Sequence, residues 1–163
     1  MTAADQNGLL NILWLFGGDP QFFPALDIDD SGNVAVAWEE SDAVQVKWYN
    51  SSRTQIGSDQ VDDNLNSNQK TDVRLAMTAG GTVVTWTDNA DGIYGQLYNS
   101  SRTAVGGNFV VPTTSTGTQS YSSVDMDSSG NFVVTWTSTQ SGTSDIYYQR
   151  INSSATKVGS ETC

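Results

Sequence analysis

One stretch of seven residues occurs three times in the chain, and it constrains the fold more than any other feature. Residues 131–137 read Asn-Phe-Val-Val-Thr-Trp-Thr, and the tryptophan of this stretch is Trp136. The two earlier copies carry their tryptophans at Trp38 and Trp86, so the three are 48 and 50 residues apart. A period of about 50 residues indicates a repeat architecture in which each copy is one supersecondary unit.

Each copy divides into four short segments in which β-branched and aromatic residues alternate with polar ones. Such segments, separated by Gly- and Asx-rich turns, are typical of β-strands. In the third copy the predicted strands cover residues 123–126, 131–138, 145–151 and 156–162. Four antiparallel strands per unit of about 50 residues is the plan of a propeller blade. The sequence therefore predicts an all-β, β-propeller-like fold of three four-stranded antiparallel blades.

The repeats set the predicted domain organisation. Residues 1–19 form an N-terminal extension, and residues 20–163 form a three-repeat β domain. The repeats cover about 20–68, 69–117 and 118–163. The middle copy lacks the aspartates of its first turn, and it fits the other two only with about one extra residue before that turn.

The composition argues against several classes of function. With 18 acidic and 7 basic residues the net charge is −11, which repels nucleic acid and anionic membrane surfaces. No apolar run reaches the roughly 18 residues of a membrane span. The chain has no histidine, which excludes Ser-His-Asp and Cys-His sets, and it has no phosphate-binding glycine loop. Its one cysteine, Cys163, leaves no internal disulfide. We therefore expect no enzymatic activity and no required cofactor.

The repeat also resembles a known family. The segment at residues 123–136, Ser-Val-Asp-Met-Asp-Ser-Ser-Gly-Asn-Phe-Val-Val-Thr-Trp, is followed by Asp-Ile-Tyr-Tyr-Gln-Arg at 145–150 and Lys-Val-Gly-Ser-Glu at 157–161. This order is similar to a tandem repeat of large secreted and cell-surface bacterial proteins, and the likeness covers residues 20–161. The resemblance implies a propeller-like, non-catalytic extracellular module, which commonly stands beside calcium-binding repeats and adhesion domains.

The two ends of the chain suggest a mode of assembly. Aligning the first copy on the third puts Phe23 on Tyr121 and lets residues 11–16 continue the repeat where Cys163 breaks it off. Three blades are fewer than the roughly four that a closed propeller needs, so unpaired edges would remain. We expect the N-terminal strand to pair with another copy of the chain, giving a filament or a six-bladed ring. The alternative is that residues 9–16 pack back on their own chain. The residues predicted to make the joint are Ile12, Leu13, Trp14, Leu15 and Phe16.

The first turns of the outer two copies match the front half of a calcium loop. Alternate carboxylates and a hydroxyl can converge on one hard cation, and the following glycine permits the sharp turn. The bidentate glutamate that closes such a loop is missing, because Trp38 and Trp136 stand there. The alternative is an Asx-Gly hairpin turn with solvated carboxylates. The candidate ligands of calcium are Asp27, Asp29, Ser31, Asp125, Asp127 and Ser129.

Another turn repeats an Asn-x-Ser sequence at Asn50, Asn99 and Asn152. These are acceptor sequences for N-linked glycans. The alternative is that asparagine is the turn residue that tolerates a left-handed backbone.

Together these features predict a non-enzymatic, self-assembling structural protein, located outside the cell or on its surface. The alternative is a lectin-like or calcium-dependent adhesion module that binds cell-surface glycans through its exposed aromatic side chains. Neither interpretation involves nucleic acid or membrane insertion.

Overall fold

The computed structural model describes residues 20–61, 69–89 and 92–163, which form twelve β-strands. This confirms the predicted all-β fold. The described residues contain no helix, and hence none that could cross a membrane. Blade 1 consists of β1 Gln21–Ile28, β2 Val34–Glu40, β3 Ala43–Tyr49 and β4 Gln55–Gln60. Blade 2 consists of β5 Lys70–Thr78, β6 Gly81–Asp88, β7 Gly92–Asn99 and β8 Phe109–Val110. Blade 3 consists of β9 Gln119–Met126, β10 Phe132–Ser138, β11 Asp145–Ile151 and β12 Lys157–Thr162.

Each blade is an antiparallel meander in which every strand pairs with its neighbour in sequence. The first strands β1, β5 and β9 lie side by side, so they are the inner strands of the array. Because β1 contacts β5 and β5 contacts β9, the blades stack face against face in chain order. The three sheets do not close into a ring. This arrangement confirms the three predicted four-stranded blades.

The core lies between the blades, in two apolar clusters. One cluster joins blades 1 and 2 and includes Val46, Trp48 and Trp86. The other joins blades 2 and 3 and includes Val83 and Trp136. Side chains alternate between the two faces of a strand. Strand β6 therefore contributes to both clusters and is buried along its whole length, as the continuous apolar sequence of this segment predicts.

Two of the three repeated tryptophans stack on a tyrosine of the adjacent strand in the same blade. Trp86 stacks on Tyr94 with 6.2 Å between ring centroids, and Trp136 stacks on Tyr147 at 6.3 Å. Among the described residues, neither of these two indole N–H groups has a hydrogen-bond partner. Only the first copy differs, since the Nε1 of Trp38 donates to a glutamate at 3.3 Å.

The turn between β5 and β6 differs from its two counterparts, but not by an insertion. Met77 pairs with Thr82 across a turn of four residues, whereas the equivalent pair in blade 1, Ile28 and Val34, encloses five. The prediction of an extra residue before this turn is therefore wrong. The shorter turn fits closely against blade 3, because a Cβ on Gly80 would lie only 2.7 Å from the nearest backbone nitrogen there.

Candidate functional site

The inner strands share a bulge at one equivalent position. The bulge residues are Phe23, Asp72 and Tyr121, spaced 49 residues apart, and all have left-handed backbones with φ of 52°, 50° and 57°. The strand register shifts at each of these points. Left-handed φ is uncommon outside glycine, and bulges redirect a side chain out of the regular alternation. The same left-handed bulge therefore presents three chemically different side chains near the start of the inner strands.

Asp72 is the carboxylate of this set, and it links blades 2 and 3. Its Oδ2 accepts a hydrogen bond from the backbone N–H of Tyr121 at 3.4 Å. Its Oδ1 lies 4.0 Å from an Nη of Arg74, whose other Nη donates to the backbone carbonyl of Val73 at 2.8 Å. Asp72 is 18% exposed and Arg74 is 42% exposed. We call Asp72, Arg74 and Tyr121 the inner-strand cluster.

The third member of the cluster, Tyr121, contacts Asp72 through its backbone and carries an aromatic ring. Tyr121 is 69% exposed, so its ring offers a flat surface to a ligand. Phe23 occupies the equivalent position in blade 1 and is 37% exposed. A carboxylate, a guanidinium and an open aromatic ring form a combination that can hold a polar ligand with one apolar face.

A pocket of about 320 Å³ opens between blades 2 and 3, next to this cluster. It reaches Ser120, the neighbour of Tyr121 on β9. Hydroxyl and amide side chains provide most of its lining. The lining residues are Thr87, Asp88, Asn89, Gly92, Ser115, Gly117, Thr118, Gln119 and Ser120.

The six predicted calcium ligands do not converge around two common points. In the first turn Asp29 accepts the backbone N–H groups of Ser31 and Asn33, each at 2.9 Å, which is an Asx turn. Asp27 instead links blades, because its Oδ2 accepts the N–H of Met77 in blade 2 at 2.8 Å. Within residues 20–61, 69–89 and 92–163, no three acidic, histidine or cysteine side chains are grouped as metal ligands. Calcium binding stays a prediction.

The third copy repeats this turn. Asp127 accepts the backbone N–H groups of Ser129 at 2.8 Å and Asn131 at 3.0 Å, and Asp125 accepts that of Met126 at 2.9 Å. Hydrogen bonds from the Asn131 side chain and backbone hold the pKa of Asp127 below its usual value. The pKa of Asp29 is also lowered: desolvation raises it, but hydrogen bonds from Asn33 outweigh that effect. Both aspartates therefore act as acceptors within their own turns.

The three sequon asparagines are turn residues. Asn50 accepts the backbone N–H groups two and four residues ahead at 3.0 and 2.9 Å, and Asn99 and Asn152 do the same at 2.9–3.1 Å. The left-handed residue of each turn is not the asparagine but the third residue after it, for example Arg53. The asparagines therefore stabilise these turns by accepting hydrogen bonds, and not by adopting a left-handed backbone. Glycosylation stays a prediction.

The predicted assembly residues Ile12, Leu13, Trp14, Leu15 and Phe16 lie outside the described residues. The exchanged strand therefore stays a prediction.

The sequence did not predict the inner-strand cluster or the pocket between blades 2 and 3. Both lie on the upper side of the array, where the inner strands begin. Asp72 and Arg74 fall in the copy that fits the repeat least well, and nothing in the sequence marks Asp72 as a bulge. Thr87 continues a strand of core residues, and its sequence context does not distinguish it from them.

The fold is similar to those of two solved glycoside hydrolases. One is an endo-arabinase from Bacteroides thetaiotaomicron, with a TM-score of 0.57 and 16% identity. The match covers 86% of this chain and 54% of the enzyme. The other is an engineered GH43 glycoside hydrolase with endo-xylanase and exo-arabinofuranosidase activity, with a TM-score of 0.51 and 14% identity over 84% of this chain and 28% of that one.

These likenesses show the β-propeller fold. No protein-family model and no curated protein matches the sequence. The prediction of a non-enzymatic, self-assembling structural protein is wrong on this comparison, because these two solved structures are glycoside hydrolases. The absence of histidine does not exclude glycoside hydrolysis, because that reaction uses a pair of carboxyl groups and needs no imidazole.

Proposed function

We propose that the chain is part of a carbohydrate-active β-propeller that hydrolyses glycosidic bonds, with its site on the upper side. The observation that carries the proposal is the Asp72 carboxylate bound to the backbone N–H of the exposed residue Tyr121, next to a hydroxyl-lined pocket that reaches Ser120. The two solved structures with this fold, an endo-arabinase and a xylanase with arabinofuranosidase activity, support arabinose- and xylose-containing polysaccharides as first candidates.

In this proposal Asp72 is the general base. Its carboxylate accepts the backbone N–H of Tyr121 and lies beside Arg74, and these two contacts orient it. An ionised, oriented carboxylate can take a proton from an attacking water molecule. Arg74 is half-exposed and can donate hydrogen bonds to sugar hydroxyl groups, and the Tyr121 ring can stack on the apolar face of a sugar.

Hydrolysis also needs a second carboxyl group, about 6.5–9.5 Å away in an inverting enzyme and about 5–5.5 Å away in a retaining one. The other carboxylates on the described inner strands, Asp27 and Asp125, lie four residues beyond the bulge position. At about 3.3 Å per residue this places them roughly 13 Å further along the strand. Neither of these two therefore lies within that range of Asp72, and the proposal requires the second carboxyl group to come from another part of the protein.

The substrates proposed here are extracellular polymers, so we place the protein outside the cell. A net charge of −11 is compatible with neutral polysaccharides, whereas it would disfavour anionic ones.

The test is release of reducing sugar from arabinan and from xylan by the full chain and by Asp72→Asn. We expect the hydrolysis rate of the variant to fall at least about 100-fold, since general acid–base catalysis contributes roughly 10²–10⁴-fold. Asp30→Asn is the matched control, because it removes the same charge from an exposed turn on the other side of the array. No release from either polymer would refute hydrolysis, and full activity in Asp72→Asn would refute the role of Asp72.

A further inference from the structure

The pocket between blades 2 and 3 is lined by a buried hydroxyl group that no described residue satisfies. Thr87 is 3% exposed, it lines the pocket, and its Oγ1 has no hydrogen-bond partner in the described part of the chain. A buried polar group without a partner costs about 1–3 kcal/mol. Such groups are uncommon in native proteins and call for a specific explanation.

The neighbouring threonine in the same interface does have a hydrogen-bond partner. Thr85 lies two residues earlier on β6 and points to the same side. Its Oγ1 is 3.2 Å from the Oγ of Ser122 on β9, with both residues buried. Thr87 lines the pocket, and its hydroxyl, unlike that of Thr85, has no partner among the described residues. The lack of a partner on this face of β6 is therefore confined to the residue that borders the pocket.

An amide from blade 3 closes the pocket on the other side. Gln119 is 5% exposed, and its Nε2 donates to the backbone carbonyl of Thr114. Its Oε1 approaches Gly92, where a Cβ would lie only 2.6 Å away. Because Gly92 has no side chain, the amide can lie in this position at the end of the pocket. Further donors and acceptors come from Ser115, Thr118 and Ser120.

Among the described residues, the polar side chains that face this pocket are neutral. Asp88 lines it along the backbone, but its carboxylate pairs with the Lys70 ammonium at 3.3 Å. Asp88 alternates with Thr87, so its side chain points to the face of β6 that carries Trp86, toward blade 1. A metal ion would thus meet hydroxyl and amide groups rather than carboxylates, which are its preferred ligands. An anion would meet the field of a chain with net charge −11.

We propose that this pocket binds one neutral sugar residue of a glycan, with Thr87 and Gln119 hydrogen-bonding its hydroxyl groups. Its volume of about 320 Å³ is at the lower end of the roughly 300–1,000 Å³ of small-molecule sites, which suits a single ring. The pocket adjoins the inner-strand cluster through Ser120, which precedes Tyr121 in β9. This inference rests on the proposed function for its ligand class, but it concerns binding and requires no hydrolysis.

Isothermal titration with L-arabinose, D-xylose and their trisaccharides tests the proposal. We expect saturable binding of at least one of these sugars by the full chain. Thr87→Val keeps the shape of the side chain and removes the hydroxyl, so it should weaken binding by about three- to tenfold, as the loss of one neutral hydrogen bond does. Asp72→Asn should still bind, which separates this site from the hydrolytic step.

Two controls keep a negative result interpretable. Thr87→Val should melt at the same temperature as the unchanged chain or higher, because it removes an unsatisfied buried group. Ser115→Trp puts a large ring at the exposed rim and should abolish binding without disturbing the blades. Loss of hydrolysis in Asp72→Asn with binding retained supports both proposals.

Three results would overturn the sugar site. One is the absence of saturable heat with all four sugars in a folded protein. Another is binding that neither Thr87→Val nor Ser115→Trp affects. The third is a clear fall in melting temperature for Thr87→Val, which would show that the hydroxyl holds a structural water molecule instead of a ligand.

Discussion

Two tyrosines at equivalent positions of blades 1 and 2 provide a controlled measurement of what a buried hydroxyl contributes. Tyr49 pairs with Val34 in its blade, and Tyr98 pairs with Thr82 in the next, and both rings are almost fully buried. The hydroxyl of Tyr98 donates to the carboxylate of Asp59 at 2.8 Å. That of Tyr49 has no partner in the described residues. Replacing each by phenylalanine removes the same atom from two different environments.

The two changes should have opposite effects on the free energy of unfolding. Tyr49→Phe removes an unsatisfied buried group whose desolvation costs about 1–3 kcal/mol, partly relieved by local adjustment, so we expect about 0–1 kcal/mol of stabilisation. Tyr98→Phe removes a hydrogen bond to a charged group, worth about 1.5–3 kcal/mol. Asp59 is exposed and can be rehydrated, so we expect a loss near the lower end, about 1–2 kcal/mol.

Urea titration and thermal melting of the two variants beside the unchanged chain measure these values. A difference of about 2 kcal/mol corresponds to melting temperatures roughly 4–8 °C apart in a protein of this size. The ring contact between Tyr98 and Trp48, with centroids 5.0 Å apart, persists in phenylalanine and does not bias the comparison. If Tyr49→Phe lost as much stability as Tyr98→Phe, the reasoning would be refuted, because the Tyr49 hydroxyl would then have a partner.

Alkaline pH tests the same assignment independently. Burial raises the pKa of Tyr49 above its usual value of 10.0. The folded state therefore keeps this proton at a pH where the unfolded chain has lost it, and stability falls as the pH rises above about 10. Tyr49→Phe should be less sensitive to this loss, as measured by melting temperature between pH 9 and 11. An identical pH dependence in both proteins would contradict the burial of the hydroxyl.

Three further predictions concern other parts of the array. Asp88→Asn should lower the free energy of unfolding by about 3–5 kcal/mol in a urea titration, because it leaves the buried Lys70 ammonium without its carboxylate. The double variant Lys70→Gln, Asp88→Ser introduces the neutral pair that blade 3 has at this position, Gln119 and Ser138, and should lower it by less than half as much. Asn99→Ala should cost about 1 kcal/mol in the same titration, since two turn N–H groups lose their acceptor. Hydrogen bonds from the side chain and backbone of Asn131 lower the pKa of Asp127, so its contribution to stability is present above its usual pKa of 3.8 and is lost as the pH falls through the lowered pKa. Asp127→Asn should consequently lose less melting temperature than the unchanged chain between pH 5 and pH 2.

The sequence predicts the strands of the blades well, because the same local pattern of apolar and turn residues occurs three times. Alternating apolar residues and recurring turns locate a strand such as Asp145–Ile151 to the residue. Burial of the central strands on both faces follows from their continuous apolar sequence and agrees with β6. These properties depend on neighbouring residues along the chain, and a periodic pattern records them directly.

The candidate site could not be predicted in the same way, since it depends on backbone geometry and on contacts between blades. A left-handed aspartate such as Asp72 has no sequence signature of its own. The contact between Asp27 and Met77 joins residues 50 positions apart, and the local sequence around Asp27 does not indicate it. Thr87 is indistinguishable from Thr85 in sequence, although only Thr85 has a partner across the interface.

A repeat protein offers an internal comparison that helps to separate structural residues from candidate functional ones. Positions at which the three copies carry the same side chain, such as Trp86 and Trp136, are buried in the interfaces that every blade must form. The bulge position behaves differently: its left-handed backbone is repeated three times, yet the side chains are Phe23, Asp72 and Tyr121. Packing does not require this backbone to carry one particular residue, because all three side chains are at least partly exposed. A constant backbone with a variable, accessible side chain can change its chemistry without loss of fold, and the upper side of the inner strands is therefore where we expect this propeller to act.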